Sequence, residues 1–144
     1  MKFLGTGSAL PKKVVSNDDL AQVMDTSDEW IRSRTGIGMR HIAVEETTTS
    51  MAVEAAQKAL ADAKMSGCEI DLIIAGTISP DYIFPSLACE VQAAIGAKSA
   101  TAFDLSAGCS GFLFALATAD GYFRTGRYKH ALVIAAETLS KMMN

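Results

Sequence analysis

The sequence predicts an α/β fold built on a sheet covered on both faces, and three observations carry that expectation. From residue 48 onward, apolar segments of strand length alternate with segments of helical periodicity. The strand segments, such as "DLIIAG" and "ALVIAA", are apolar nearly throughout, as strands buried on both faces are. Finally, 49% hydrophobic and 20% charged residues in a chain of 144 leave ample material for a core between layers. One continuous domain spanning residues 1–144 is the simplest parse, because no repeat or low-complexity linker interrupts the chain.

The elements follow in order. "MKFLGTGSALP" reads as a first strand running into a Gly/Pro turn. "SNDDLAQVM" reads as a short helix capped by Ser16 or Asn17. "TSDEWIRSRTG" is a second short helix, with Thr26 or Ser27 as its cap, acids in the first turn and Gly36 past its end. "MRHIAV" is an extended segment. The spacing of Met51, Ala55, Ala59 and Ala63 on an Ala-rich frame predicts a helix from Thr48 to about Lys64. A strand "DLIIAGTIS", a helix "SLACEVQAAIG", a strand "TAFDLS", a helix from about Ser110 to Arg124 and a strand "HALVIAAET" complete the alternation.

Composition excludes several function classes. A net charge of −3 and scattered basic residues give no electrostatic basis for a nucleic-acid or anionic-membrane partner. No apolar run reaches the ~18 residues of a bilayer span, and the N-terminus lacks a signal-peptide pattern, so a cytoplasmic protein is expected. Cys68, Cys89 and Cys109 are odd in number and widely spaced, with only His41 and His130 as possible zinc partners. Neither a disulfide framework nor a metal site is expected. Cys68 and Cys89 read as small buried hydrophobes.

Cys109 has a different setting, in "TAFDLSAGCSGFLFALATADGYF". It stands where an apolar strand gives way to a helix, between Gly108 and Gly111. Unpaired N–H groups and the dipole at a helix N-terminus favour a thiolate and can also hold an oxyanion. Glycines beside the sulfur permit a sharp strand-to-helix turn and close approach of an acyl group. The following helix is apolar enough to be buried, which would leave the thiol at the base of a water-poor site. On these features alone a nucleophile and a buried cysteine are equally good readings.

The segments "GTGSALP", "DTSDEWIRSRTGI", "RHIA", "FPSLAC", "AFDLSAGCSGF" and "ALVIAAETLS" together resemble the N-terminal half of β-ketoacyl-acyl carrier protein synthase III, a condensing enzyme of the thiolase fold. The resemblance implies one α/β half of a layered αβαβα architecture. It implies that Cys109 attacks acyl-CoA, usually acetyl-CoA, and that the resulting thioester condenses with malonyl-acyl carrier protein as carbon dioxide leaves. It further implies that Trp30 stacks on the adenine of coenzyme A, with Thr26 hydrogen-bonding nearby and Arg34 assisting with phosphate. By the same resemblance Ile78 and Leu139 line the acyl pocket, and Phe84 reaches across a homodimer interface to close the partner's pocket. No cofactor is implied beyond acyl-CoA as substrate.

From the residues alone, Trp30 reads as a core anchor, Arg34 as a solvated helix charge and Phe84 as a loop anchor. The family's catalytic histidine and asparagine belong to a C-terminal half expected to be absent from this chain. His41 reads as a structural hydrogen-bonding residue and His130 as the opening of a strand. Rival readings are a related acyltransferase using another primer or making a secondary metabolite, a non-catalytic acyl-CoA binding fragment, and a redox-sensing thiol protein, the last disfavoured because no resolving cysteine is near in sequence.

Overall fold

The computed structural model describes residues 1–142. The chain gathers into two compact units, one of Met1–Ala9 with Thr47–Asn144 and one of Leu10–Glu46.

The smaller unit holds strand β1 (Lys13–Ser16), helices α1 (Asn17–Ala21) and α2 (Asp28–Thr35) and strand β2 (Met39–Ile42). β1 and β2 pair antiparallel, Lys13 opposite Ile42 and Ser16 opposite Met39. Ser16 caps α1 through a capping box with Asp19. Ser27, the second of the two cap candidates, accepts the Trp30 N–H at 3.1 Å to start α2, and Gly36 ends that helix at φ 73°. Asn17 is the buried hub: its amide donates to Asp28 and to the Ile37 carbonyl, and its oxygen accepts from Arg40. The Asn17 amide, with Arg32 assisting, holds the Asp28 carboxyl below its usual pKa. His41 has the structural place expected of it, with Nδ1 2.6 Å from the Pro11 carbonyl.

The larger unit is the expected layered structure: helix α3 (Thr48–Ala63), strand β3 (Leu72–Gly76), helix α4 (Leu87–Ile95), strand β4 (Thr101–Leu105), helix α5 (Gly111–Arg124) and strand β5 (Ala131–Ala135). The three strands form a parallel sheet in the order β4-β3-β5. Central β3 is buried at every residue, which is why its sequence is uniformly apolar. Its side chains alternate: Ile73 and Ala75 pack with Ala52, Ala56 and Leu60 of α3 and Leu87, Ala88 and Val91 of α4. Leu72 and Ile74 pack on the opposite face with Ala115 and Ala119 of α5. Burial of each such Leu or Ile contributes about 1.5–3 kcal/mol before entropy is counted.

Several expectations are corrected. Residues 1–12 form no strand, because a strand needs a ladder partner and this segment pairs with none among the described residues. Met1–Ala9 lies instead on α3, where Thr6 N–H donates to Asp62 and a Cβ at Gly7 would stand 2.1 Å from the Ala55 carbonyl oxygen. The α3 residues buried in the core beneath the sheet are Ala52, Ala56 and Leu60, with Ala59 packed at their edge. Cys68 is exposed, because it sits in a short 3-10 turn, Gly67–Glu69, with its sulfur 2.9 Å from Ser66 Oγ. α5 is not a buried helix: only Gly111, Ala115 and Ala119 are buried, while Phe112, Leu113 and Phe114 are exposed. Only one stripe of that helix meets the sheet, and apolar composition alone does not say how many sides are covered.

Candidate functional site

The sheet topology opens a crevice. From β3 the chain crosses to α4 on one face, whereas from neighbouring β4 it crosses to α5 on the other. Beyond the carboxyl ends of two such strands the loops part, and this is where layered α/β folds place ligands. β3, β4 and β5 end level, with Gly76 opposite both Leu105 and Ala135. Three candidate residues follow these ends directly: Ile78 after β3, Cys109 after β4 and Leu139 after β5. Phe84 lies on the same β3–α4 loop as Ile78.

Cys109 occupies a 3-10 turn, Gly108–Ser110, that runs straight into α5. Gly108 makes this turn possible at φ 51°, a left-handed value that side chains resist. The turn's hydrogen bonds run from Ser110 N–H to the Ala107 carbonyl and from Gly111 N–H to the Gly108 carbonyl. That pattern leaves the Cys109 N–H outside the turn's own bonding. Gly111 serves a different end, because a Cβ there would meet Gly76 Cα at 3.4 Å, so the start of α5 rests directly on the end of β3. The thiol itself is exposed, and the buried water-poor base expected for it is not formed by the described residues.

The neighbouring loops are held by carboxylates. Asp104, within β4, accepts the N–H groups of Leu87 and Ala88 at 2.8 Å each and so caps α4. Asp81 accepts the N–H groups of Thr48 and Thr49 at the start of α3. Partial burial works to raise its pKa, but hydrogen bonds from Thr49 and Thr48 outweigh that and lower it. Glu137, just past β5, accepts the Ile78 N–H at 2.9 Å and the hydroxyls of Ser79 and Thr77.

In the smaller unit, α2 brings Trp30 and Arg34 together. Trp30 is 54% exposed, which removes the core-anchor reading. The Arg34 guanidinium carbon lies 4.4 Å from the Trp30 ring centroid, one helical turn on, so Arg34 is more than a solvated charge. Thr26 is half-buried in the segment leading into α2. Phe84 is 88% exposed, so it anchors no loop, and Leu139 and Ile78 are each about half exposed.

The anchoring residues that sequence reasoning missed are Asn17 in the smaller unit and, separately, Asp104 and Glu137 in the larger. Each acts by holding backbone far away in sequence, and a lone polar residue at an element's end gives no local signal of that. Among the described residues no group of three or more His, Cys, Asp or Glu could hold a metal ion, and no helix is long and apolar enough to cross a membrane. A groove of about 910 Å³ follows β5 between Met1–Gly7, α3 and α5. None of Cys109, Ile78, Phe84 or Leu139 lines it.

Comparison with known proteins follows the same lines. Residues 103–144, which include the Cys109 turn, match the family described as 3-oxoacyl-[acyl-carrier-protein (ACP)] synthase III. A β-ketoacyl-[acyl-carrier-protein] synthase III of Streptococcus suis is 59% identical over 135 residues, 94% of this chain and 42% of that protein. The crystal structure of 3-oxoacyl-[acyl-carrier-protein] synthase III from Aquifex aeolicus superposes with a TM-score of 0.95 at 54% identity, over 97% of this chain and 46% of that one. The priming β-ketosynthase of the R1128 polyketide biosynthetic pathway superposes at 0.93 with 38% identity, over 96% of this chain and 42% of that one. The chain thus spans somewhat under half the length of the proteins it matches.

Proposed function

Because this chain is related in sequence and fold to the N-terminal half of β-ketoacyl-acyl carrier protein synthase III, a thiolase-fold condensing enzyme, we propose that it supplies the nucleophile and the acyl-CoA contacts of such an enzyme. The observation that carries this reading is the placing of Cys109 on a glycine-built turn at the carboxyl end of a parallel sheet, ahead of α5. The Cys109 thiolate forms a C–S bond to the acyl carbonyl as the bond to coenzyme A breaks, and coenzyme A leaves as a thiolate that takes up a proton. The Cys109 N–H, outside the turn's own bonding, is the donor for the developing oxyanion, where one preorganised donor is commonly worth about 10²–10³ in rate. Malonyl-acyl carrier protein then loses carbon dioxide, its carbanion bonds to the acyl carbon, and the cysteine thiolate departs.

Trp30 gives the adenine of coenzyme A a stacking face, with Arg34 already over the ring and available to phosphate and Thr26 beside the start of α2. Ile78 and Leu139 are the apolar walls for the acyl chain. The exposed pair Ile83 and Phe84 suits a homodimer contact in which Phe84 closes the partner's pocket. On this reading the enzyme works in the cytoplasm on acyl-CoA and a carrier-protein thioester and uses no further cofactor. A second reading, a synthase using another primer for a secondary metabolite, is favoured by the likeness to the polyketide priming β-ketosynthase.

The test is turnover of acetyl-CoA and malonyl-acyl carrier protein by the complete polypeptide that carries these residues, read as 3-oxobutyryl-acyl carrier protein by mass spectrometry. Product that persists in a Cys109→Ala variant would contradict the assignment.

A further inference from the structure

We infer that Glu137 is a positioning residue that fixes the acyl-pocket wall and thereby sets the length of acyl chain that Cys109 accepts. The inference rests on the synthase reading above and deepens it. Three donors of the β3–α4 loop converge on this one carboxylate: the Ile78 N–H at 2.9 Å, the Thr77 hydroxyl at 3.4 Å and the Ser79 hydroxyl. Glu137 itself sits two residues past the end of β5 and two before Leu139. The carboxylate therefore bridges the segment carrying one candidate wall residue, Ile78, to the segment carrying the other, Leu139.

A second set of bonds locks the same bridge. Thr138 N–H donates to Ser79 Oγ at 3.0 Å. Thr48, fully buried at the start of α3, donates its hydroxyl to the Ser79 carbonyl at 2.7 Å and lies 2.6 Å from the Thr138 hydroxyl. Thr48 has a single hydroxyl proton, so Thr138 must be the donor between the two hydroxyls. Thr77 and Thr138 are each only 5% exposed, so the network is tied into the core while Ile78 and Leu139 keep about half their surface open. A loop whose ends were held only by the strands would let Ile78 drift. The Glu137 network removes that freedom at the end of the sheet where Cys109 also lies. A pocket wall held rigidly discriminates chain length, because each added methylene must either find space or displace the wall.

The requirement is for hydrogen-bonding partners in the right place, not for charge. A glutamine keeps one carbonyl oxygen for the Ile78 N–H, and its amide can donate to hydroxyls that reverse their roles. An alanine leaves all three donors without their common acceptor.

The experiment measures acylation of Cys109 in the complete polypeptide by intact mass, across acetyl-, butyryl-, hexanoyl-, octanoyl- and decanoyl-CoA. The wild-type protein should show a length beyond which acylation falls away. In Glu137→Ala that limit should move to longer chains, the first excluded primer gaining on the order of tenfold relative to acetyl-CoA, by the usual worth of pocket contacts. Glu137→Gln should restore the wild-type limit, which a loss of fold stability alone would not arrange. If Glu137→Ala does not fold, Ser79→Ala and Thr77→Val remove two of the three donors and should move the limit in the same direction. An unchanged or shortened limit in folded variants overturns the role of Glu137 while leaving the synthase reading intact. Failure of the wild-type protein to acylate Cys109 with any primer overturns both.

Discussion

Cys109 and Cys68 are both exposed, so exposure does not single out the proposed nucleophile; what differs is the backbone around each sulfur. Cys68 faces the hydroxyl of Ser66 inside an isolated turn, whereas Cys109 precedes a 14-residue helix and keeps its own N–H outside the turn's bonding. Trp30 is the clearest test at this scale, being the only tryptophan of the chain and 54% exposed under the Arg34 guanidinium. Coenzyme A should quench its fluorescence, and Trp30→Ala should weaken binding by about 1–3 kcal/mol, by analogy with base–aromatic stacking. Unchanged emission at saturating coenzyme A would remove Trp30 from the ligand site. The motif around Cys109 and the exposure-prone Trp30 were legible in sequence through resemblance. Glu137, Asp104 and Asn17 were not, because their partners lie 58 to 60, 16 to 17 and 11 to 23 residues away in the chain.

Among the elements, α3, α4 and α5 announced themselves because periodicity and caps are local. Ser86 and Gly96 bound α4 as N-cap and left-handed C-cap. The N-terminal strand failed as an expectation because pairing is not local: "KFLGTGS" has strand composition, yet its backbone lies on α3 and joins no ladder among the described residues. The contact between α5 and β3 makes opposite forecasts for two glycines. A Cβ at Gly76 would stand 2.9 Å from the Gly111 carbonyl carbon, so Gly76→Ala should push α5 off the sheet and destabilise the fold by about 1–3 kcal/mol in chemical denaturation. Gly121, inside α5 with open space around it, should gain about 0.5–1 kcal/mol as Ala. Equal effects from the two would contradict the packing described.

The small β1–β2 unit carries its own pH dependence. Glu46 accepts the Lys12 N–H at 2.9 Å and the Val44 N–H at 3.2 Å, and these backbone bonds, the Lys12 bond foremost, lower its pKa from 4.5 to about 2. A depressed carboxyl pKa stabilises the fold above its unfolded value, so this contribution is complete above pH 4.5 and is lost as pH falls through about 2. Glu46→Gln should remove that acid-side dependence. An NMR titration that finds the Glu46 carboxyl with a midpoint near 4.5 would show that the clamp does not form.

At the scale of the whole molecule, the chain presents Phe112, Leu113 and Phe114 on α5 and Ile83 and Phe84 on the β3–α4 loop as exposed apolar surface. Surface of that kind drives association. A purified polypeptide of these 144 residues should therefore form oligomers by light scattering. It should also lack condensation activity, since its two histidines, His41 and His130, are engaged by the Pro11 and Glu69 carbonyls, and enolate formation needs preorganised donors. Turnover by the isolated chain at the rate of a complete enzyme would show that other residues of it supply them. The layered α/β class was legible because a doubly covered sheet imposes a uniform apolar pattern. Which helix faces stay open was not, because that depends on surfaces that periodicity does not encode.

In the proposed reaction Cys109 receives the acyl group. The most direct measurement is to expose the folded, complete polypeptide to acetyl-CoA without malonyl-acyl carrier protein, quench in acid, and locate the adduct by peptide mass spectrometry. A hydroxylamine-labile acetyl thioester should form on Cys109 alone and be absent from Cys109→Ala. Acetyl groups on Cys68 or Cys89, or no thioester on a protein that nevertheless condenses its substrates, would contradict it.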